Sequence, residues 1–225
     1  MRRGRFIAIE GTDGSGKATQ AAFLARALRK QGKRVRVIAF PQHGAPSAAP
    51  VDAFLTGAYG TSKEFGIYRA AVLYAVDRAA AKKKISDWLG QGDIVIADRY
   101  IASNWAFGGA QLVTAVGRTK YWTWDAHFEF DFFGIPKPDV TIVLAVDPKV
   151  AQKLILKKKE RAYLKGKKRD QYERDLSLQH RVLAAYRELP RFDRTIRIVE
   201  CVEHDVILQK TEVHRRVMEV IAKTV

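Results

Sequence analysis

The stretch that decides the fold is residues 6–19, which read FIAIEGTDGSGKAT. An apolar run leads to Glu10, and the residues after it follow the spacing Gly-x-x-x-x-Gly-Lys of a phosphate-binding loop. In such a loop the backbone N–H groups converge on phosphate oxygens, and the lysine reaches the outer phosphates. We therefore expect a nucleoside polyphosphate to bind here. The residues expected to contact it are Gly11, Asp13, Gly14, Ser15, Gly16, Lys17, Ala18 and Thr19.

The loop departs from its usual form at one position. A serine or threonine normally follows the lysine and places a hydroxyl group on Mg²⁺, but here Ala18 stands there, with Thr19 behind it. Mg²⁺, bound with the nucleotide, is the expected cofactor, and the sequence leaves open how the protein holds it. The two candidates are Thr19 and, through water, Asp98.

Short apolar runs alternate with helix-length segments along the chain. Near-continuous apolar runs are typical of strands that are covered on both faces of a parallel sheet. This alternation predicts an α/β fold in one domain, residues 1–225, with a doubly wound, five-stranded parallel sheet flanked by helices. The predicted strands are residues 5–9, 34–40, 94–97, 140–145 and 195–199. The predicted helices are residues 17–30, 64–89, 149–159, 175–188 and 204–222.

Composition narrows the class of protein. Of the 225 residues, 47% are hydrophobic and only one, Cys201, is a cysteine, which predicts a folded cytoplasmic protein without an internal disulfide. No apolar stretch approaches the roughly 20 residues that span a bilayer. The formal net charge is +16, so nucleic acid stays open as a less favoured partner. Basic residues are concentrated within 153–174, which predicts a basic flap.

A second chemical signal stands at the end of the third predicted strand, where Asp98 and Arg99 follow the apolar run 94–97. Because parallel strands end at the same edge of a sheet, both side chains are expected to face the crevice that the phosphate loop opens into. An aspartate there can hold Mg²⁺ through water, and an arginine can clamp phosphate oxygens. The alternative is an aspartate that caps the next helix beside a surface arginine.

Over nearly its whole length the chain resembles the thymidylate kinases, a branch of the P-loop nucleoside monophosphate kinases. The resemblance implies the P-loop kinase fold and the transfer of the γ-phosphoryl group of ATP to dTMP, which gives dTDP. Two alternatives stay open: another acceptor monophosphate such as dUMP, and a kinase-derived nucleotide-binding or nucleic-acid-binding protein with impaired catalysis. The motifs that carry the resemblance are the loop 10–20, Phe40-Pro41, LYAVDR at 73–78, DRYIASNWAF at 98–107 and GIPKPD at 134–139.

The resemblance also implies roles for single residues. Arg78 would hydrogen-bond the thymine edge, Arg99 would hold the acceptor phosphate, and Tyr74 or Phe107 would lie on the base, although core packing is the alternative for both rings. A basic lid at about residues 157–171 would close over the nucleotides. The implied catalytic residues are Lys17, Asp98, Arg99, Arg161 and Arg169. The implied acceptor site comprises Asp13, Phe40, Pro41, His43, Tyr74, Arg78, Arg99, Ser103, Asn104, Phe107 and Tyr172.

Besides Ala18, two acceptor-side positions depart from the family pattern. His43 stands where many relatives have an arginine, and Gly108 replaces a residue that is often polar. Relatives form homodimers through helices beside the sheet, and the apolar positions within 70–81 agree with such a dimer. A helix buried within the chain would show the same pattern.

Overall fold

A computed structural model of the protein describes residues 3–155, 175–204 and 206–224. The predicted sheet is confirmed: its five strands are all parallel and lie in the order β2-β3-β1-β4-β5. Their bounds are β1 Phe6–Gly11, β2 Val35–Ala39, β3 Ile94–Asp98, β4 Val140–Ala145 and β5 Ile196–Glu200. A further pair of short antiparallel strands, β6 Val202–Glu203 and β7 Val206–Ile207, forms a hairpin beyond the sheet.

Helices cover both faces of the sheet, as the continuous apolar character of the central strands requires. Every residue of β1 and β4 is buried, whereas the edge strand β2 is partly exposed. The helices are α1 Lys17–Lys30, α2 Ala49–Leu55, α3 Ser62–Phe65, α4 Ile67–Ala80, α5 Lys82–Gly90, α6 Ile101–Gly109, α7 Ala115–Ala126, α8 Pro148–Ile155, α9 Leu176–Phe192 and α10 Lys210–Thr224. A 3₁₀ turn, Pro46–Ala48, precedes α2, and a π-helical turn, His127–Phe132, continues α7.

Two hydrophobic clusters fill the space between sheet and helices. One contains Phe6, Val95 and Trp105 and lies under α4, α5, α6 and α9. The other contains Ile7 and Ile96 and lies under α1 and α10. Neighbouring residues of one strand thus belong to opposite clusters, since side chains alternate across a strand. None of the helices in the described ranges is long and apolar enough to cross a membrane.

Several predicted helix boundaries were wrong. The segment 64–89 is divided among α3, α4 and α5, because Gly66 at φ 85° interrupts the first junction. The last helix begins at Lys210 rather than at residue 204, since the strands β6 and β7 precede it. The ninth helix continues to Phe192, with Asp175 accepting the Leu178 N–H at 2.8 Å as its N-cap. Residues 156–159 of the predicted third helix, 149–159, lie outside the described ranges.

The start of strand β1 is held by one carboxylate. Asp139 Oδ2 accepts the backbone N–H of Phe6 at 2.7 Å, and the Asp139 N–H donates to the Phe6 carbonyl at 2.8 Å. These bonds align the first residues of β1 and β4. Phe6 is fully buried, and the Asp139 carboxylate is the acceptor that the structure gives its N–H group.

We expect Asp139→Ala to lower the free energy of unfolding by about 1–3 kcal/mol, because it leaves the buried Phe6 N–H unpaired. Urea denaturation measures the change. Asp131, whose side chain is 61% exposed and pairs with His127, supplies the matched control. Asp131→Ala should change stability by less than about 0.5 kcal/mol. Equal effects of the two substitutions would contradict this assignment.

Candidate nucleotide site

The loop after β1 has the backbone that phosphate binding requires. Gly11 has φ +142°, and a Cβ there would lie 2.6 Å from the Leu144 carbonyl oxygen, so only glycine fits. Gly16 stands in the left-handed region at φ 90° as the N-cap of α1, and no side chain caps the helix there. The first N–H groups of α1 therefore point toward the cleft beyond the loop, where the helix dipole favours an anion.

The side chain of Lys17 extends back over this loop. Its Nζ donates to the carbonyl oxygens of Gly11 at 3.0 Å and Thr12 at 2.8 Å, and the residue is 8% exposed. The ammonium group is thus held at the concave side of the loop, where the backbone turns around it. Such a position suits a charge that contacts the outer phosphates of a bound nucleotide.

Arg99 joins the loop to the end of β3. The residue adopts φ 67°, and its Nη1 donates to the Gly11 carbonyl and to Ser103 Oγ, both at 3.2 Å. Its Nη2 forms an ion pair with Asp13, and the guanidinium carbon lies 5.6 Å from the centre of the Phe107 ring. Arg99 therefore lies in the cleft between the loop and Phe107.

Glu10 lies next to Ser103, a hydrogen-bond partner of Arg99, and is fully buried. Its Oε1 accepts the backbone N–H groups of Tyr100 at 2.7 Å and Ser103 at 3.1 Å. Its Oε2 accepts the hydroxyl groups of Ser103 at 2.6 Å and Tyr186 at 3.0 Å. Burial raises the pKa of the Glu10 carboxyl, and the Ser103 hydrogen bond opposes that rise. Glu10 was not among the predicted site residues, although a carboxylate directly after a fully apolar run is a signal for such a role.

A cleft of about 310 Å³ opens beside the loop, within the size range of small-molecule sites. It brings together all the expected acceptor residues that the structure describes: Asp13, Phe40, Pro41, His43, Tyr74, Arg78, Arg99, Ser103, Asn104 and Phe107. Gly16, Lys17, Ala18, Thr19 and Asp98 line the same cleft. Arg161, Arg169, Tyr172 and the expected lid lie outside the described residues.

The segment after Pro41 is held by Asp77, which was not among the predicted site residues. Asp77 is 1% exposed and accepts the Gln42 N–H at 2.8 Å and the Ser47 hydroxyl at 2.6 Å. His43 follows in this segment, and its Nδ1 lies 2.5 Å from Asp52 Oδ1. Asp77, which precedes Arg78 on α4, therefore fixes the position of the segment that forms one wall of the cleft.

The far end of the cleft is built from α4, α6 and the π-helical turn. Arg78 is 2% exposed and forms two 2.6 Å bonds with the carboxylate of Glu129, one from Nε and one from Nη2. Asn104 lies beside this pair and also contacts Glu129. Arg78 is therefore already paired with a carboxylate within the protein. The role expected for it, a hydrogen bond to the base edge, did not include such a partner. Glu129 was missed because no motif marks a π-helical turn.

The absence of a side chain at Gly108 is explained by an aromatic ring from another helix. A Cβ on Gly108 would lie 2.3–2.4 Å from three ring and hydroxyl atoms of Tyr121 on α7. The Tyr121 hydroxyl donates to the Asn104 carbonyl at 3.2 Å, and both Gly108 and Tyr121 line the cleft. The absent side chain at position 108 thus makes room for an aromatic wall beside Asn104.

Comparisons with known proteins identify the family to which the chain belongs. The family model described as thymidylate kinase matches residues 9–215. The chain belongs to the thymidylate kinase family. The thymidylate kinase of Mycobacterium tuberculosis (strain ATCC 25618 / H37Rv) is 40% identical over 185 residues, which are 81% of this chain and 84% of that protein. The thymidylate kinase of Halothermothrix orenii is 30% identical over 223 residues, or 96% and 95% of the two chains.

Solved structures give the same result. The structure of thymidylate kinase from Candida albicans superimposes with a TM-score of 0.70 at 27% identity, covering 98% of this chain and 92% of that one. The family and the fold expected from the sequence are therefore confirmed. The fold also brings loop and acceptor-side residues together, since Asp13 and Phe107 are 94 positions apart in the chain and line one cleft.

Among the described residues, the cleft offers Mg²⁺ isolated oxygen ligands rather than a cluster of them. Within residues 3–155, 175–204 and 206–224 there is no group of three or more His, Cys, Asp or Glu side chains that could hold a metal ion. Mg²⁺ in kinases is bound by one or two protein groups together with substrate phosphates and water. Asp98 and Thr19 line the cleft beside Lys17 and fit that requirement.

We expect Gly108→Ala to destabilise the protein by about 1–3 kcal/mol, because the new methyl group overlaps the Tyr121 ring. Helix propensity alone predicts the opposite sign, since alanine is favoured over glycine inside a helix. Gly90 on α5 is the matched control, because nothing lies within 4 Å of a Cβ placed there. Thermal unfolding should show Gly90→Ala unchanged or more stable. Two equally stable variants would contradict the packing described.

Proposed function

We propose that this chain is a cytoplasmic kinase that transfers the γ-phosphoryl group of ATP to dTMP and forms dTDP. The observation that carries the proposal is one cleft with a phosphate-binding loop at one end and aromatic and amide side chains at the other. Arg99 lies between the two ends, in contact with both Asp13 and Phe107. Family membership supports the same reaction.

Phosphoryl transfer asks a protein mainly for positioning and for neutralisation of charge. In the proposed reaction Lys17 and the N–H groups at the start of α1 hold the phosphates of ATP. Arg99 holds the phosphate of dTMP and keeps the two nucleotides in line. Its guanidinium is already oriented by Asp13 and Ser103, so little reorganisation is needed when the acceptor binds.

The base of the acceptor would lie at the far end of the cleft. Tyr74 and Phe107 offer aromatic faces there, while Arg78 and Asn104 offer polar groups. Asp98, with Thr19, would hold Mg²⁺, which when bound neutralises phosphate charge. The lid arginines Arg161 and Arg169 remain predictions. The homodimer also remains a prediction, since Ala70, Ala71 and Ala75 are buried within this chain.

A coupled ADP-release assay with a panel of nucleoside monophosphates tests the proposed reaction. We expect dTMP to have the highest kcat/KM, and we expect Lys17→Met to lower its turnover by at least about 100-fold, because it removes a fixed charge on the phosphates. No turnover of dTMP at any Mg²⁺ concentration would contradict the proposal. Salt-sensitive oligonucleotide binding without transfer would favour the nucleic-acid alternative instead.

The position of Ala18 gives a separate test of metal binding. We expect Ala18→Ser to lower the Mg²⁺ concentration needed for half-maximal activity, because a hydroxyl group after the loop lysine is a usual Mg²⁺ contact. Ala22→Ser, one turn further along α1, is the matched control and should leave the Mg²⁺ dependence unchanged. If the Ala18→Ser titration coincides with that of the unmodified enzyme, the metal does not depend on this position.

A further inference from the structure

Four buried polar side chains meet at the far end of the cleft: Arg78, Asn104, Asp125 and Glu129, here called the Glu129 cluster. Their exposed fractions are 2%, 6%, 0% and 0%. Arg78 and Asn104 line the cleft, whereas Asp125 and Glu129 lie behind them on α7 and the π-helical turn. The two carboxyl groups therefore act on a ligand only through the side chains in front of them.

Glu129 fixes the guanidinium group in front of it. Its two oxygens accept from Nε and Nη2 of Arg78, each at 2.6 Å, so the fork of the arginine is held in one plane. Nη1 lies 3.4 Å from the Tyr100 carbonyl oxygen. These contacts use three of the five N–H groups that an arginine carries, and two are left for a ligand in the cleft.

Glu129 also fixes the amide of Asn104. Asn104 Nδ2 lies 3.1 Å from Glu129 Oε1, 3.2 Å from the Ala71 carbonyl oxygen and 3.4 Å from Asp125 Oδ1. Three acceptors around one atom decide which way the amide points, because the amide oxygen would be repelled there. The oxygen is consequently the amide atom that remains for the cleft.

We infer that Glu129 is a positioning residue that sets the base specificity of the acceptor site. By accepting from Arg78 and Asn104 together, it makes the cleft present guanidinium donors beside one amide acceptor. The base that complements this set has a ring N–H next to a carbonyl group, as thymine and uracil do. The inference rests on the proposed function, because it concerns the acceptor of that reaction.

Cytosine has the opposite pattern on the same edge. Its ring nitrogen at this position is an acceptor and would face the amide oxygen of Asn104, while its exocyclic amino group would face the donors of Arg78. Buried polar groups that are left unpaired discriminate strongly between such analogues. The cluster thus excludes cytidine nucleotides by mismatched hydrogen bonds rather than by size.

Asp125 reinforces this arrangement. Burial, and next the charge of Glu129, raise the pKa of the Asp125 carboxyl well above its usual range. The raised pKa disfavours a second negative charge beside Glu129. Asp125 Oδ1 also lies 3.4 Å from Asn104 Nδ2 and so adds to the acceptors that orient the amide.

The test compares Glu129→Gln with the unmodified enzyme on dTMP, dUMP and dCMP. Glutamine keeps the volume but replaces one accepting oxygen with a donor, so Arg78 and Asn104 cannot both be satisfied. We expect the ratio of kcat/KM for dTMP over dCMP to fall at least 10-fold, with the KM for ATP unchanged. Glu188→Gln is the matched control, because Glu188 forms a similar bidentate pair with Arg118 outside the cleft. It should leave the ratio unchanged.

Thermal unfolding first shows whether Glu129→Gln folds. If it does not, Glu129→Asp replaces it, because this variant keeps the charge but shortens the reach to the two partners. A folded variant with an unchanged dTMP-to-dCMP ratio, or with equal losses on all three acceptors, overturns the inference. Absence of dTMP turnover in the unmodified enzyme would instead mean that the proposed function is wrong.

A further measurement needs no variant. Calorimetric binding of N3-methylated dTMP to the unmodified enzyme should be at least 100-fold weaker than binding of dTMP, because the methyl group removes the ring N–H. Equal affinity for the two nucleotides would also overturn the inference, since the Asn104 oxygen would then accept no hydrogen bond from the base.

Discussion

Both halves of the cleft depend on the hydrogen bonds that the buried carboxylate of Glu10 accepts. It stands at the end of β1 and accepts four hydrogen bonds from Tyr100, Ser103 and Tyr186, which belong to the β3–α6 junction, α6 and α9. A fully buried anion is costly unless its lone pairs are occupied, and here each oxygen has two donors. One side chain therefore ties the strand that begins the phosphate loop to the elements that carry Arg99 and Asn104.

The two arginines of the cleft are organised by the same rule. Arg99 is paired with Asp13 and Arg78 with Glu129, so each guanidinium is oriented before any ligand arrives. An arginine held this way loses little conformational entropy on binding and cannot turn into solvent. In the proposed reaction, the ordered guanidinium on the loop side would meet phosphate charge. The ordered guanidinium on the far side would donate hydrogen bonds to a base.

Much of this architecture could be predicted because its signals are local. The run before Glu10 and its four counterparts predicted the parallel sheet, since buried strands must be apolar on both faces. The loop 11–17 predicted an anion site because glycines at fixed spacing impose its backbone. The second strand of the hairpin, β7, was predicted as part of a helix that began at residue 204, because the hairpin residues lack the alternation and turn signals that identify a hairpin. The division of 64–89 depended on a single glycine, which helical patterns often tolerate.

The sequence by itself determined the fold class, the phosphate loop and the set of side chains available for an acceptor, because each is written in residues close together in the chain. Only the tertiary structure decided which of those side chains are paired and which way they point. Glu129 is 51 positions from Arg78 and 25 from Asn104, and Tyr121 fills the space left by Gly108 on another helix. Such contacts depend on how helices pack against one another, and no local pattern specifies them.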